Sequence, residues 1–265
     1  MTVLPSTKPF FRQSTNRWTR TKRNQYGHAT DSYRDPHDYP DYPEFCTAIR
    51  DVVCATGVQA ALSALTDAKS HNVVQSMLFD QNTNTPAHQD WYYLDSLPNG
   101  HLLAGWFALE DIHEDAGRFF IVPGSQSAPF VENSVLDINE YIKTVEAWYA
   151  ANSLRLHAPA LNKGDALFWN SRVIHGSLKT RDDARSRRSL TAHYLPAQYE
   201  FGSRNAPRPI RVDYDVHNGM KVRKALDVHK HYSVKSRIQT EVFRFMYARP
   251  ALRKIALSAA SILKG

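Results

Sequence analysis

The spacing of three polar residues constrains the fold of this chain more than any other feature. His88 and Asp90 are separated by one residue, and a second histidine, His175, follows far downstream. Residues two apart in a strand project from the same face, so His88 and Asp90 could hold one ion, while His175 must come from another strand. Two imidazoles and one carboxylate are the facial set that holds non-haem Fe(II) and leaves adjacent coordination positions open. We therefore expect a β-rich fold in which strands distant in sequence face each other.

The segments that flank His175 predict one hairpin around it. Before it, a Lys163-Gly164-Asp165 turn leads into the apolar residues 166–169, a pattern typical of a buried strand. After it, a charged loop leads to a second strand-like segment that begins at Arg187. A strand, a histidine, a loop and a strand with an arginine at its start fit a double-stranded β-helix. The planar fork of arginine suits a bidentate pair with a carboxylate, such as the distal carboxylate of 2-oxoglutarate.

With these features in order, the chain resembles the phytanoyl-CoA dioxygenase family of iron(II)- and 2-oxoglutarate-dependent oxygenases over residues 73–196. The resemblance rests on several motifs in sequence order: residues 86–90 (Pro-Ala-His-Gln-Asp), 104–111, 116–125, the Lys-Gly-Asp turn, His175-Gly176-Ser177 and Arg187. One departure is Gln126, which stands where the family usually has a histidine.

The resemblance implies a mainly β fold with flanking helices and a jelly-roll, cupin-like core of the double-stranded β-helix type. It also implies the cofactors Fe(II), 2-oxoglutarate and dioxygen. The implied roles are metal ligation by His88, Asp90 and His175, and 2-oxoglutarate binding by Arg187, Ser177 and Trp106. Arg187 is preferred over Arg188 because it lies seven residues before Tyr194, as in the family, and because the pleat turns its neighbour to the opposite face.

The reaction implied by the resemblance is hydroxylation of a small-molecule metabolite with release of succinate and CO2. Asp90 argues against a halogenase, since that branch of the family replaces the carboxylate with a small residue. Desaturation, ring formation and epimerisation by the same oxidant remain alternatives. A zinc hydrolase and a non-catalytic cupin-like binding module are two further alternatives. The arginine after the distal histidine disfavours a zinc hydrolase. The presence of all three candidate ligands and the arginine disfavours a non-catalytic module.

Other polar and aromatic residues have structural interpretations. Asp95 and Asp165 are expected to form turns, and Trp169 and residues 91–93 to lie in the core. At most one of Tyr92 and Tyr93 should face the site. The remaining candidate histidines are expected at the surface or hydrogen-bonded in the core: His71, His101, His113, His157 and His193.

The sequence also predicts an order of segments. We expect an N-terminal arm over residues 1–43, a catalytic core over 44–200 and a basic helical extension over 201–265. The core should include one covering helix over 44–66 and an insertion at 127–154, helical at 135–151, that serves as a lid or outer helix. In the extension, the pattern predicts loop and short helix over 214–230 and then helices over 234–248 and 251–263.

Charge and cysteine content limit the partners and the compartment. The net charge of +7 comes from the ends, because residues 1–30 carry six Lys/Arg and no acid, and residues 201–265 carry fourteen against four. The segment with the candidate site is therefore acidic, and we expect no nucleic-acid partner. Contact of the last helix with a membrane surface stays an alternative. The two cysteines, Cys46 and Cys54, are expected to be free and buried in a cytoplasmic, reducing compartment. The pattern indicates neither the substrate nor the oligomeric state.

Overall fold

Two β-sheets face each other in the computed structural model, which describes residues 21–39, 42–128, 138–152, 154–203 and 212–224. The large sheet contains seven strands: β1 (Tyr33–Arg34), β2 (His71–Phe79), β4 (Leu103–Ala108), β6 (Ala166–Asn170), β8 (Ser189–Pro196), β10 (Tyr214–His217) and β11 (Met220–Arg223). Their order is β10-β11-β2-β8-β4-β6, and β1 pairs with β2.

The opposing sheet is built from short strands. In it, β5 (Phe119–Ile121) pairs with β7 (His175–Ser177), and single bridges join His88 to His175 and Ile121 to His157. A separate ribbon pairs β3 (Leu94–Leu97) with β9 (Glu200–Ser203). This is the mainly β, jelly-roll core that the sequence predicts, with strands distant in sequence paired across the barrel.

The outer face of the large sheet is covered by two helices, α1 (Pro43–Val53) and α2 (Thr56–Thr66). Because side chains alternate across a strand, one face of each strand packs under these helices and the other faces the barrel interior. The buried cluster between sheet and helices is apolar and includes Ile49, Val53, Val58, Leu62, Val73, Leu78, Leu103, Leu190 and Val222. Tyr194 joins it and donates a hydrogen bond to the carbonyl oxygen of Val53 at 2.9 Å. The interior face of the same strands carries both polar and apolar side chains, such as Gln75 and His193 beside Met77 and Trp106.

The single covering helix expected over residues 44–66 is wrong, because α1 and α2 are separate helices bent by 41°. The backbone of Ala55 is extended between them, and Gly57 in the first turn of α2 weakens helical continuity there. Gln59 donates from Nε2 to the carbonyl oxygen of Cys54 at 2.9 Å, which satisfies a group that the break exposes. In the described ranges no helix taken alone has the length and apolar character to cross a membrane; α1 and α2 meet that measure only as a bent pair.

The helix predicted within the insertion is confirmed as α3 (Ile138–Ala151). Tyr141 of α3 stacks on Tyr92 with ring centroids 3.8 Å apart, and its hydroxyl accepts a hydrogen bond from the backbone N–H of Gln89 at 2.9 Å. The helix therefore supports the His88–Asp90 segment from outside the barrel.

The structure differs from two predictions about the ends of the chain. Residues 21–39 of the expected arm include β1 and a short 3-10 helix, Pro36–Asp38, at the edge of the large sheet. The loop and short helix expected from residue 214 are wrong for 214–223, which form the antiparallel hairpin β10–β11. Asn218 and Gly219, with φ of 48° and 81°, make the two-residue turn that this dipeptide favours. The helices expected at 234–248 and 251–263 lie outside the described residues.

Candidate functional site

His88, Asp90 and His175 meet between the two sheets. Their ligand atoms all lie within 4.8 Å of one another. Oδ1 of Asp90 is 3.9 Å from Nε2 of His88 and 3.4 Å from Nε2 of His175. The strand expected to carry His88 and Asp90 is wrong, because His88 forms only an isolated bridge and the backbone, extended at Gln89, turns into a 3-10 helix at Asp90–Tyr92. The two side chains still converge, because the bridge between His88 and His175 holds the first ligand against the third.

The hydrogen bonds of the two histidines prepare both rings to bind a cation. Nδ1–H of His88 can donate to the carbonyl oxygen of Pro86, and Nδ1–H of His175 to that of Val173, each at 2.9 Å. This tautomer leaves both Nε2 lone pairs free toward Asp90. Burial, followed by the nearby His175, lowers the pKa of His88 to about 4, so its ring is neutral at physiological pH. Burial alone would raise the pKa of Asp90, but the nearby His175 and His193 hold it well below its usual value.

Trp169 on β6 orients the carboxylate. Its indole N–H donates to Oδ2 of Asp90 at 2.8 Å, whereas Oδ1 of that carboxylate faces the histidines. The interpretation of Trp169 as a core residue is therefore incomplete: it is buried, but it also contacts the candidate ligand. Pairing of Trp169 with Ala104 in β4 places it on the interior face of the sheet.

Arg187 lies in the same cavity as the three candidate ligands. Its side chain is 2% exposed, and Nη1 donates to the carbonyl oxygen of Gly117 at 2.9 Å. Its Nε has no hydrogen-bond partner in the described part of the chain. Burial lowers its pKa to about 9, and the guanidinium makes no ion pair with any described carboxylate. Gly117 has φ of +75°, and an added Cβ would lie 2.7 Å from the carbonyl oxygen of Leu178, so this position requires glycine.

The neighbouring Arg188 points the other way. It is exposed, with Nε 3.3 Å from Asp80 and Nη1 3.7 Å from Glu110. The alternation of the pleat thus separates the two arginines as the sequence predicts, and of the two only Arg187 lines the cavity.

The other two residues assigned to 2-oxoglutarate also line this cavity. Trp106 is 1% exposed, and its ring centroid lies 5.8 Å from the guanidinium carbon of Arg187. Ser177 donates from Oγ to the carbonyl oxygen of Thr85 at 3.3 Å. The structure therefore places Trp106 beside the arginine and Ser177 two residues beyond the distal histidine, in the same cavity wall.

His193 is a site residue that the sequence interpretation missed. Its side chain is 1% exposed, and Nε2 lies 3.4 Å from Oδ1 of Asp90. Neither ring nitrogen makes a hydrogen bond of good geometry within the described residues. The interpretation of His193 as a surface or hydrogen-bonded core residue is therefore wrong. His71, His101, His113 and His157 do not line this cavity as far as the structure describes it.

The turn interpretations of Asp165 and Asp95 hold, whereas the core interpretation of Tyr93 is wrong because this residue is 43% exposed. Asp165 accepts a hydrogen bond from the backbone of Asn162, and Asp95 accepts one from that of Gly100, each at 2.8 Å, so both carboxylates close turns. Of the adjacent tyrosines, Tyr93 lines the cavity whereas Tyr92 is buried against α3, as expected for a pair of which one faces the site.

The cavity that joins these groups has a volume of about 510 Å³. Its lining includes Arg187, the three candidate ligands and, across β2 from β8, Arg34 and Arg223. Such a volume can hold a co-substrate and part of a second small molecule.

Comparison with known proteins was consistent with this arrangement. The profile of the phytanoyl-CoA dioxygenase (PhyH) family matches residues 6–189. The peroxisomal phytanoyl-CoA dioxygenase of Bos taurus is 25% identical over 120 residues, which cover 44% of this chain and 35% of that protein. Phytanoyl-CoA dioxygenase domain-containing protein 1 of Mus musculus is 26% identical over 184 residues, covering 66% of this chain and 57% of that protein. The matches thus span between a third and three fifths of these relatives' own lengths.

Solved structures share the fold. The non-heme alpha ketoglutarate dependent carbocyclase SnoK from nogalamycin biosynthesis has a TM-score of 0.55 and 18% identity, covering 69% of this chain and 73% of that one. EctD from S. alaskensis, solved with 2-oxoglutarate and 5-hydroxyectoine, has a TM-score of 0.53 and 15% identity, covering 72% and 67%. These likenesses confirm the jelly-roll core. Because the family profile matches more than half of its length, the chain belongs to the phytanoyl-CoA dioxygenase family.

Proposed function

We propose that this protein is an Fe(II)- and 2-oxoglutarate-dependent oxygenase that hydroxylates a small-molecule metabolite and releases succinate and CO2. The observation that carries the proposal is the presence, in one buried cavity, of a His-Asp-His set and a separate arginine that lacks an anion. Neither the His-Asp-His set nor the buried arginine suffices alone, since metal clusters and buried arginines both occur in proteins of other kinds.

The residues fit the implied metal. Nε2 of His88, a carboxylate oxygen of Asp90 and Nε2 of His175 would hold Fe(II), because both imidazoles are tied to backbone carbonyls through Nδ1. Trp169 would keep the carboxylate in place through Oδ2. Bound together, iron and 2-oxoglutarate supply the activation of dioxygen coupled to loss of CO2 from the keto acid.

The residues also fit the keto acid. The guanidinium of Arg187 would pair with the distal carboxylate of 2-oxoglutarate. The negative charge of that carboxylate would offset the cost of burying the cation. Ser177 would add a hydrogen bond to that carboxylate, and the ring of Trp106 would limit the space beside it. The aromatic walls around Arg187, which include Phe79 at 5.8 Å from its guanidinium carbon, would exclude water from the pair.

Hydroxylation is the finer part of the proposal. It rests on Asp90, which would occupy the position that a halogenase leaves open. The shared fold also serves the carbocyclase SnoK and the epimerase SnoN, so ring formation or epimerisation is the alternative outcome.

The free, buried Cys46 and Cys54 support the further proposal of a reducing, cytoplasmic compartment.

Anaerobic addition of Fe(II) and 2-oxoglutarate to the purified protein tests the proposal. A weak visible charge-transfer band is expected, and the His175→Ala variant should lack it. Retention of both iron and keto acid without a band would contradict the proposal. A zinc hydrolase would bind metal without need of the keto acid, and a binding module would show no succinate release with any metabolite.

A second experiment separates the outcomes of the reaction. Succinate release is first measured across a metabolite library, and the product of each active metabolite is then weighed by mass spectrometry. Hydroxylation adds one oxygen atom to the substrate, whereas desaturation and ring closure remove two hydrogen atoms and epimerisation leaves the mass unchanged.

A further inference from the structure

The side of the cavity formed by β1 and β11, across β2 from β8, carries a second set of cationic groups. Arg223 is 5% exposed and lines the cavity. Its Nη2 donates to Oδ2 of Asp35 at 2.9 Å, but its Nε has no hydrogen-bond partner in the described ranges. Arg34 also lines this side, is exposed, and makes no ion pair with any residue that the structure describes. Neither arginine contacts the three candidate metal ligands.

The register of the large sheet separates Arg223 from Arg187 along the strands, and Arg34 lies at a level between them on the edge strand β1. His193 follows Arg187 by six residues, which corresponds to about 20 Å along the strand direction. Gln75 in β2 lies opposite His193 in β8. The parallel strand β11 pairs Val222 with Val73 of β2, so the next residue, Arg223, is level with Gln75 and His193. Val222 packs in the outer core, which turns Arg223 to the interior face.

The position of Arg34 follows from the same pattern. In β1 it is the direct partner of Met77, and directly opposed residues share a face of the sheet. Met77 lines the cavity, so Arg34 reaches the same space from the edge strand.

Charge in the cavity is therefore unbalanced. Its described lining contains three arginines, Arg34, Arg187 and Arg223, and a single carboxylate, Asp90, which the histidines engage. Asp35 compensates part of the charge of Arg223 from outside the lining. 2-Oxoglutarate at Arg187 would leave Arg34 without an anion and Arg223 with the carboxylate of Asp35 alone. Between these two arginines and the metal ligands the walls are largely apolar, with Met77, Leu94 and Phe201.

We propose that the second substrate is a small organic acid whose carboxylate or phosphate is bound by Arg223 and Arg34. Its carbon frame lies along Met77 and Phe201 and brings a C–H bond to the metal ligands. The guanidinium fork suits both kinds of anion, which is the chemistry they share. This inference rests on the proposed function, because it assigns Arg187 to the keto acid and the side formed by β1 and β11 to the molecule that is oxidised.

The test uses three probes of equal chain length: hexanoate, hexyl phosphate and the neutral hexanamide. Their affinities are measured by calorimetry on the full-length protein, anaerobically and with saturating Fe(II) and 2-oxoglutarate. At least one acid is expected to bind at least about tenfold more tightly than the amide, and the tighter acid identifies the anionic group. Equal affinity for acid and amide, or failure of both acids to bind, overturns the proposal.

Variants locate the binding. Arg34→Gln should weaken binding of the acid severalfold without affecting the amide, and because Arg34 is exposed this variant is not expected to disturb folding. Arg223→Lys keeps the positive charge toward Asp35 but loses the fork, and should also weaken binding. The matched control is Arg185→Gln, which removes an exposed arginine that pairs with Asp182 outside the cavity. Unchanged affinity in both cavity variants overturns the proposal.

A final arm separates this inference from the proposed function. The same titrations are repeated without metal or keto acid in the Arg187→Gln variant, where the keto-acid position of the cavity can no longer bind an anion. Acid binding that persists there and depends on Arg34 supports the second anion site even if the protein never forms an iron–keto acid complex. Loss of acid binding in this variant places the acid at Arg187 and overturns the inference.

Discussion

The indole N–H of Trp169 donates a hydrogen bond of 2.8 Å to Oδ2 of Asp90. The other oxygen of that carboxylate faces the imidazoles of His88 and His175 at 3.9 and 3.4 Å. One oxygen is therefore held by the strand β6 while the other remains directed to the candidate metal position. With a metal bound, Trp169 would act as a positioning residue, because it would fix Asp90 without contacting the metal itself.

Replacement of Trp169 by phenylalanine should weaken metal binding. The ring volume is largely kept, but the hydrogen bond to Asp90 is lost, and loss of such a partner commonly costs about 10- to 100-fold in metal affinity. The measurement is a titration of the metal-free protein with Fe(II) under anaerobic conditions, or with Mn(II) as a stable substitute. Trp148→Phe is the matched control, because Trp148 lies on α3 and does not line the cavity. Equal metal affinity in the two variants would show that Asp90 needs no support from Trp169.

Arg187→Gln should reduce affinity for 2-oxoglutarate and leave affinity for the metal nearly unchanged. Hydrogen bonds to charged groups contribute roughly 1.5–3 kcal/mol each, so loss of the fork should weaken keto-acid binding by at least about tenfold. Both affinities can be read from the anaerobic charge-transfer band by titrating each component with the other in excess.

Arg188→Gln provides the matched control for that experiment. It removes an adjacent arginine that pairs with Asp80 and Glu110 on the opposite face of the strand. Its keto-acid affinity should equal that of the wild type. The reverse result, with loss of keto-acid affinity in Arg188→Gln alone, would identify Arg188 as the anchor and contradict the assignment.

The sequence predicted the parts of the site that depend on local spacing. His88 and Asp90 are two residues apart, so any extended backbone would bring them together, and the arginines at 187 and 188 are distinguished by the alternation of the strand. The double-stranded β-helix followed from the order of motifs. What could not be predicted was how the strands meet, because cross-strand partners are far apart in sequence.

His193 and Trp169 show what was missed. His193 has the same parity as Arg187, and Gln75 is its partner across β2, so the alternation that selected Arg187 also pointed to His193. The hydrogen bond from Trp169 to Asp90 gave no such sign, because it joins residues 79 apart in sequence. The Asn218-Gly219 dipeptide favours a two-residue hairpin turn and could have predicted the β10–β11 hairpin in place of the loop and short helix.

Asp95→Asn should destabilise the fold. The buried carboxylate accepts hydrogen bonds from the backbone N–H groups of Ser96 and Gly100, at 2.7 and 2.8 Å, and from the hydroxyl of Ser171 at 3.2 Å. An amide offers one acceptor oxygen, so at least one donor loses its partner, at a cost of about 1–3 kcal/mol in the free energy of unfolding. Urea denaturation should show a lower midpoint with an unchanged slope. Asp31→Asn, at an exposed position, is the control; equal midpoints in the two variants would rule out this role of Asp95.

The two cysteines should resist alkylation in the folded protein at pH 8. Cys54 is fully buried, and burial raises the pKa of its thiol from 9.0 to about 12. Burial also raises the pKa of Cys46, whose sulfur lies 3.2 Å from the carbonyl oxygen of Tyr39. The thiolate is the reactive form, and an upward shift of the pKa reduces its fraction at every pH below that pKa.

For Cys54 the shift reduces the thiolate fraction at pH 8 by about a thousandfold relative to an unshifted thiol. Iodoacetamide labelling followed by mass spectrometry should therefore show almost no modification of the native protein and two modified thiols in urea. Cys46→Ser isolates Cys54, whose labelling rate should rise steadily as the pH approaches 12 for as long as the circular dichroism spectrum remains native. Rapid labelling of native Cys54 at pH 8 would mean that α1 opens at its end often enough to expose the thiol, and that the junction between α1 and α2 is less stable than its packing indicates.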